Sequence, residues 1–140
     1  DTQQLIDATS GSLSLLECLR KVGCQFVRLL QDPEAIAIFR VIIAEAVNSP
    51  HVATLFYQAG PEASLSTLSD VIEKFGEGSL SRDIAQQLAV DYCALLKGEY
   101  HTMMLCGIQS PLQDEAITAH VNSAAEKILL LFTHYTQQHN

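Results

Sequence analysis

The chain has 140 residues, enough for one domain with a core of its own. Apolar residues make up 48% and charged residues 17%, richer in apolar side chains than a freely soluble monomer requires, so a surface covered by a partner is expected. The net charge of −8 comes with only eight Lys and Arg, spread singly or in one adjacent pair from Arg20 to Lys127, which argues against direct binding of nucleic acid by this segment. No apolar run approaches the length needed to cross a bilayer, and no secretory leader is visible.

The first residue is Asp, which reads as a fragment or a processed product. Cys18, Cys24, Cys93 and Cys106 contain no C-x-x-C pair, and with no leader they read as reduced, mostly buried thiols, in keeping with a cytoplasmic protein.

Every strong periodic signal is helical. Thr2 to Ala8 reads as the end of a longer helix, interrupted at Gly11 and Ser12. Ser14-Leu15-Leu16-Glu17 has capping-box spacing and starts a helix expected to reach about Leu30, with Leu15, Leu16, Leu19, Val22, Phe26, Val27, Leu29 and Leu30 as its apolar stripe. Asp32-Pro33-Glu34 supplies a cap, a first-turn proline and an acidic residue at the positive dipole end. The central helix that follows, Ala35 to Val47, is almost wholly apolar and is expected to lie inside the domain with neighbours on nearly every side.

Ser49-Pro50 repeats the device of a capping residue before a proline. Gly60-Pro61 is expected to break or bend that next helix, which resumes to about Phe75 with Leu65, Leu68, Val71, Ile72 and Phe75 inward. Gly76-Glu77-Gly78-Ser79 is the clearest loop. Ser79 or Ser81 then caps a helix expected to run from Arg82 to about Cys106, stopping at Gly107. Ser110-Pro111-Leu112-Gln113 is read as the cap and first turn of the last helix, which ends near Thr136.

The run Ile128-Leu129-Leu130-Leu131-Phe132 wraps the whole circumference of that last helix. Packed only on its own domain, the helix would leave part of the run in water. Burying one such side chain is worth roughly 1.5–3 kcal/mol, so a second copy is expected to cover it. Ile117, Val121, Ala124, Ile128, Leu131, Phe132 and Tyr135 on the last helix, with Leu95, Tyr100, Met103 and Met104 before it, are the expected dimer contacts, building a four-helix interface.

Catalytic signatures are hard to find: there is no Gly-rich phosphate loop, no G-x-S-x-G and no H-E-x-x-H. A di-metal carboxylate bundle needs Glu-x-x-His pairs, and none occurs. His51, His101, His120, His134 and His139 are dispersed, so no metal and no cofactor is expected. Arg40 and Glu45 lie five positions apart, on different sides of the central helix, and are not expected to pair. Arg40 is open to two readings, a ligand-orienting charge in a cavity or a paired charge at the helix edge. Phe26, Phe39, Phe56, Tyr57 and Tyr92, with Cys18, Cys24 and Cys93 as soft fillers, either line a pocket or form ordinary core.

Several of these segments, in their order and spacing, resemble the regulatory domain of TetR-family transcriptional repressors. They are Asp32-Pro33-Glu34, Phe39-Arg40, Ile43-Ala44-Glu45-Ala46, Pro50, Leu55-Phe56-Tyr57 and Gly60-Pro61, followed by Tyr92-Cys93-Ala94-Leu95-Leu96-Lys97-Gly98-Glu99 and Leu105-Cys106-Gly107. The resemblance implies an all-α, antiparallel multi-helix bundle, one regulatory domain over residues 1–140, dimerising through its last two helices and enclosing a small apolar or amphipathic effector. It implies an operator-reading helix-turn-helix in an N-terminal domain outside this chain, and no enzymatic activity. The effector set it suggests is Cys18, Phe26, Phe39, Arg40, Ile43, Phe56, Tyr57, Ile72, Tyr92, Cys93 and Leu96. A purely structural dimerisation bundle with a solid core is the alternative.

Overall fold

A computed structural model of the chain describes residues 13–138. The expected Thr2–Ala8 helix and its interruption at Gly11 and Ser12 lie outside the described residues. Among the described residues there are seven α-helices, one π-helical turn and no strand: α1 Leu15–Gln31, α2 Pro33–Glu45, α3 Pro50–Tyr57, the turn Gln58–Glu62, α4 Ala63–Phe75, α5 Arg82–Lys97, α6 Tyr100–Leu105 and α7 Asp114–Gln137.

Local chemistry explains most of the boundaries. Ser14 accepts from the Glu17 amide while the Glu17 carboxylate receives the Ser14 amide, a complete capping box at α1. Asp32 ends α1 and caps α2 by accepting from the Ala35 amide at 3.1 Å, with Pro33 in the first turn. Ser81 caps α5 through the Ile84 amide. Each such cap is worth about 1 kcal/mol.

Three boundaries correct the sequence reading, and at Gly60-Pro61 the helix is distorted and not broken. Pro61 has no amide to donate and its ring crowds the carbonyl four residues back, and the chain absorbs both by widening into one π turn between α3 and α4. Ser49 precedes Pro50 but makes no side-chain cap. The helix from Arg82 stops at Lys97, because Gly98 adopts φ +48°, a left-handed conformation cheap only for glycine; α6 is a separate short helix. Ser110-Pro111 stays outside α7, which begins at Asp114 with Gln113 at its N-cap.

The core is built where α7 lies along α1 and α5, and α4 lies along α5. Leu19, Ile72, Leu88, Tyr92, Ile117, Val121 and Ile128 are fully buried there. Gly23 makes the closest crossing possible: a Cβ on it would collide with the Tyr92 hydroxyl and fall 2.7 Å from Val121 Cγ1. The contact brings α1, α5 and α7 to one point.

The central helix is the main departure. None of the residues of α2 is buried; Val41 is 61% and Ile43 54% exposed, and Val47 just beyond is 90% exposed. Apolar composition on every side predicts burial on every side, but that burial needs neighbours. In the single chain, α2 touches α1, α3 and α6 and nothing covers its remaining face. Val52, Leu55 and Tyr57 on α3 extend the same apolar surface.

Replacing Gly23 with Ala is expected to lower stability by about 1–3 kcal/mol through overpacking, read as a drop in the urea midpoint. Gly60→Ala is the contrast. Nothing lies within 4 Å of the point where the added methyl group would stand, so the midpoint should hold or rise.

Candidate functional site

Three helices present one face each to a common space. Val22, Gln25, Phe26 and Leu29 recur on α1 at intervals of three and four. Ser64, Thr67 and Leu68 do so on α4, and Tyr92, Cys93 and Leu96 stand together on α5. They line a cavity of about 220 Å³. Its floor is apolar, formed by buried Leu68, Tyr92 and Leu96, whereas Gln25, Ser64 and Thr67 lie nearer the surface.

The polar groups of this space are largely engaged with the protein itself. The Tyr92 hydroxyl donates to the Leu19 carbonyl in the middle of α1. Thr67 Oγ1 donates to the Ala63 carbonyl one turn back at 3.1 Å. Burial pushes the Tyr92 phenol far above its usual range, so it stays protonated and keeps donating. Burial also raises the Cys93 thiol; the Lys97 ammonium pulls the other way without offsetting it. Cys93 is therefore a neutral thiol, suited to packing rather than to nucleophilic attack.

Of the eleven residues expected to hold an effector, the cavity unites Phe26, Tyr92, Cys93 and Leu96. Cys18 and Ile72 are buried in the core. Phe39 and Phe56 meet edge to face at 6.0 Å, and Phe39 also abuts the His101 ring at 5.3 Å, so these two aromatics join α2, α3 and α6 instead. Burial lowers the His101 pKa, with Lys97 adding to the effect. Ile43 and Tyr57 face outward.

Arg40 is a helix cap. Its Nε donates to the Leu105 carbonyl at 2.8 Å and its Nη2 to the Met104 carbonyl at 3.0 Å, satisfying the end of α6 with a positive charge. The same end carries a Schellman turn, with Gly107 at φ +74° and the Ile108 amide reaching the Met103 carbonyl. Arg40 is thus paired at the helix edge and does not line the cavity.

The sequence reading missed Val22, Gln25, Leu29, Ser64, Thr67 and Leu68 as cavity residues. Their helical stripes on α1 and α4 are visible in the sequence, but a stripe facing a cavity and a stripe facing core have the same period.

The expected dimer contacts divide in two. Ile117, Val121, Ala124 and Ile128 are at most 3% exposed within one chain, and Met104 is also buried. These five are corrected: they pack on their own subunit and present nothing to another. The sequence reading takes the most regular apolar stripe of the helix as an outer face, whereas that stripe is what α1 and α5 cover. Leu95, Tyr100, Met103, Phe132 and Tyr135 are half-buried, Tyr100 resting edge-on against His120. On α7 the large apolar residues left open are Leu130, 72% exposed, and Leu131, 38% exposed, with Val90 exposed on α5.

Among the described residues no cluster of His, Cys, Asp and Glu side chains is arranged to hold a metal ion, and no helix is long and apolar enough to cross a membrane.

Residues 17–134 of this helical bundle match the family of AefR-like transcriptional repressor C-terminal domains. The chain belongs to that family, and so to the regulatory domains of TetR-type transcriptional regulators. No curated protein and no solved structure matches it.

Removing the Tyr92 hydroxyl in Tyr92→Phe should cost about 1 kcal/mol of stability. Chemical denaturation reads the loss, and an unchanged midpoint would mean that the bond to Leu19 contributes nothing.

Proposed function

We propose that this chain is the effector-binding and dimerising domain of a cytoplasmic transcriptional repressor whose operator-reading helix-turn-helix forms a separate N-terminal domain. It acts by binding, not by catalysis. The observation that carries the reading is the space of about 220 Å³ among α1, α4 and α5, apolar at its floor and open to solvent at its rim. Family membership supports the regulatory role.

An effector in that space touches the Tyr92 ring, whose hydroxyl grips α1. Occupation would favour one placement of α1 relative to α5, and the repressor would respond by its differential affinity for two conformations. The broad apolar surface of α2 and α3 fits contact with further protein.

Dimerisation is assigned to the outer sides of α5 and α7. The exposed Leu130, Leu131 and Val90 support it, since a large apolar side chain left in water forgoes roughly 1.5–3 kcal/mol of burial. Light scattering at micromolar concentration should return twice the mass of one chain, and Leu130→Asp with Leu131→Asp should halve it. A wild-type monomer would remove the interface.

The regulatory reading is tested on the longer repressor. A small molecule that stabilises this domain against heat should change operator affinity by about fivefold or more. Stabilising ligands that leave operator binding untouched would overturn it.

A further inference from the structure

We infer that His101 is an acid-sensitive fastening between α6 and α2: the neutral imidazole holds α2 in place, and the protonated one releases it. The inference does not depend on the effector site.

Helix α2 is thinly held. None of its residues is buried, and its neighbours are α1, α3 and α6. On the α6 side it has two ties. Arg40 bonds the carbonyls at the far end of α6, and the Phe39 ring meets the His101 ring at 5.3 Å and 67°. Phe39 also meets Phe56 on α3, so one imidazole anchors a ring cluster that spans two outer helices.

The half-buried imidazole sits where a neutral ring fits and a cation does not. Val27 and Leu30 of α1 face the same narrow gap, as do Leu96 and Lys97 of α5. Lys97 is a like charge, and so is Arg40 on α2. His101 is the second residue of α6, where first-turn amides carry partial positive charge. On the same helix Tyr100 turns to His120 of α7. Among the described residues no carboxylate forms an ion pair with His101. Glu99, two positions earlier, is exposed, and residues at that spacing do not face each other. Burial first, and Lys97 second, accordingly lower the His101 pKa.

The sign follows. With α2 lifted away, His101 meets water and takes a proton in the ordinary histidine range, about 6.5. Packed against Phe39, it takes one only at lower pH. The open form therefore binds more protons as pH falls below the ordinary range, and the closed form is disfavoured. Above that range the contact is at full strength. Acidity thereby reaches α2 and α3 without any ligand.

Hydrogen exchange of the purified chain tests this at about pH 7.5 and about pH 5.5, the lower value still above the ordinary carboxylate range of about 4. With rates corrected for the intrinsic effect of pH, amides of α2 and α3 are expected to lose protection about twofold or more relative to those of α1 and α7. His101→Phe keeps a ring against Phe39 and cannot take a proton, so the loss should vanish there, with circular dichroism checking the fold. The other histidines remain in that variant, which separates their titration from that of His101. An NMR titration of the wild-type imidazoles needs no variant, and His101 should protonate below the ordinary histidine value.

Equal protection of α2 at both pH values would overturn the inference. So would a loss of the same size in folded His101→Phe, or greater protection in acid, which would mean that Phe39 holds the charged ring. A His101 that titrates at or above the ordinary value would overturn it as well.

Discussion

The meeting of Tyr92 with α1 at Gly23 organises the rest of the domain. A phenol cannot lie across a helix unless the helix offers a position without a side chain, and Gly23 is that position. The hydroxyl then takes the Leu19 carbonyl, while Val121 closes from α7. One residue pair thereby sets how near α1 and α5 approach, how α7 seats beside them, and where the wall of the cavity stands. A glycine inside a helix costs about 1 kcal/mol relative to Ala, and the approach it permits offsets that cost.

Outside this point the domain is held unevenly. The α1–α5–α7 and α4–α5 contacts bury large aliphatic side chains completely. The α2–α3–α6 corner relies on other means: an edge-to-face group of Phe39, Phe56 and His101, and the Arg40 guanidinium on two carbonyls. The connection before α7 is fastened by Gln31, whose amide both donates to and accepts from the Leu112 backbone. Polar ties and ring contacts replace burial where one chain runs out of cover.

Much of this is legible in the sequence, and for local reasons. Caps, first-turn prolines and acidic first turns act within four residues, so Ser14, Asp32 and Pro33 read directly and Ser81 as one of two candidates. The stop at Gly98 is also signalled, by a lysine followed by glycine, though the helical periodicity beyond it masks the break. Facing is harder. Composition says that Val41 or Ile43 favours burial but not which body buries it, and periodicity says that Ile117 to Ile128 forms a stripe but not whose core it enters. The cavity is least legible, because Phe26 and Tyr92 would read alike over a solid core, and only the volumes of neighbours on three helices leave space between them.

The Arg40 cap has a mechanical consequence. Its bond to the Leu105 carbonyl is exposed and its bond to the Met104 carbonyl is half-buried, so water can compete for the first more readily than for the second. Helix α2 has no residue sealed in the core, so this link and the Phe39 ring contacts carry much of its attachment. Any shift of α2 is coupled through Arg40 to the end of α6. The buried crossing at Gly23 lies outside that linkage.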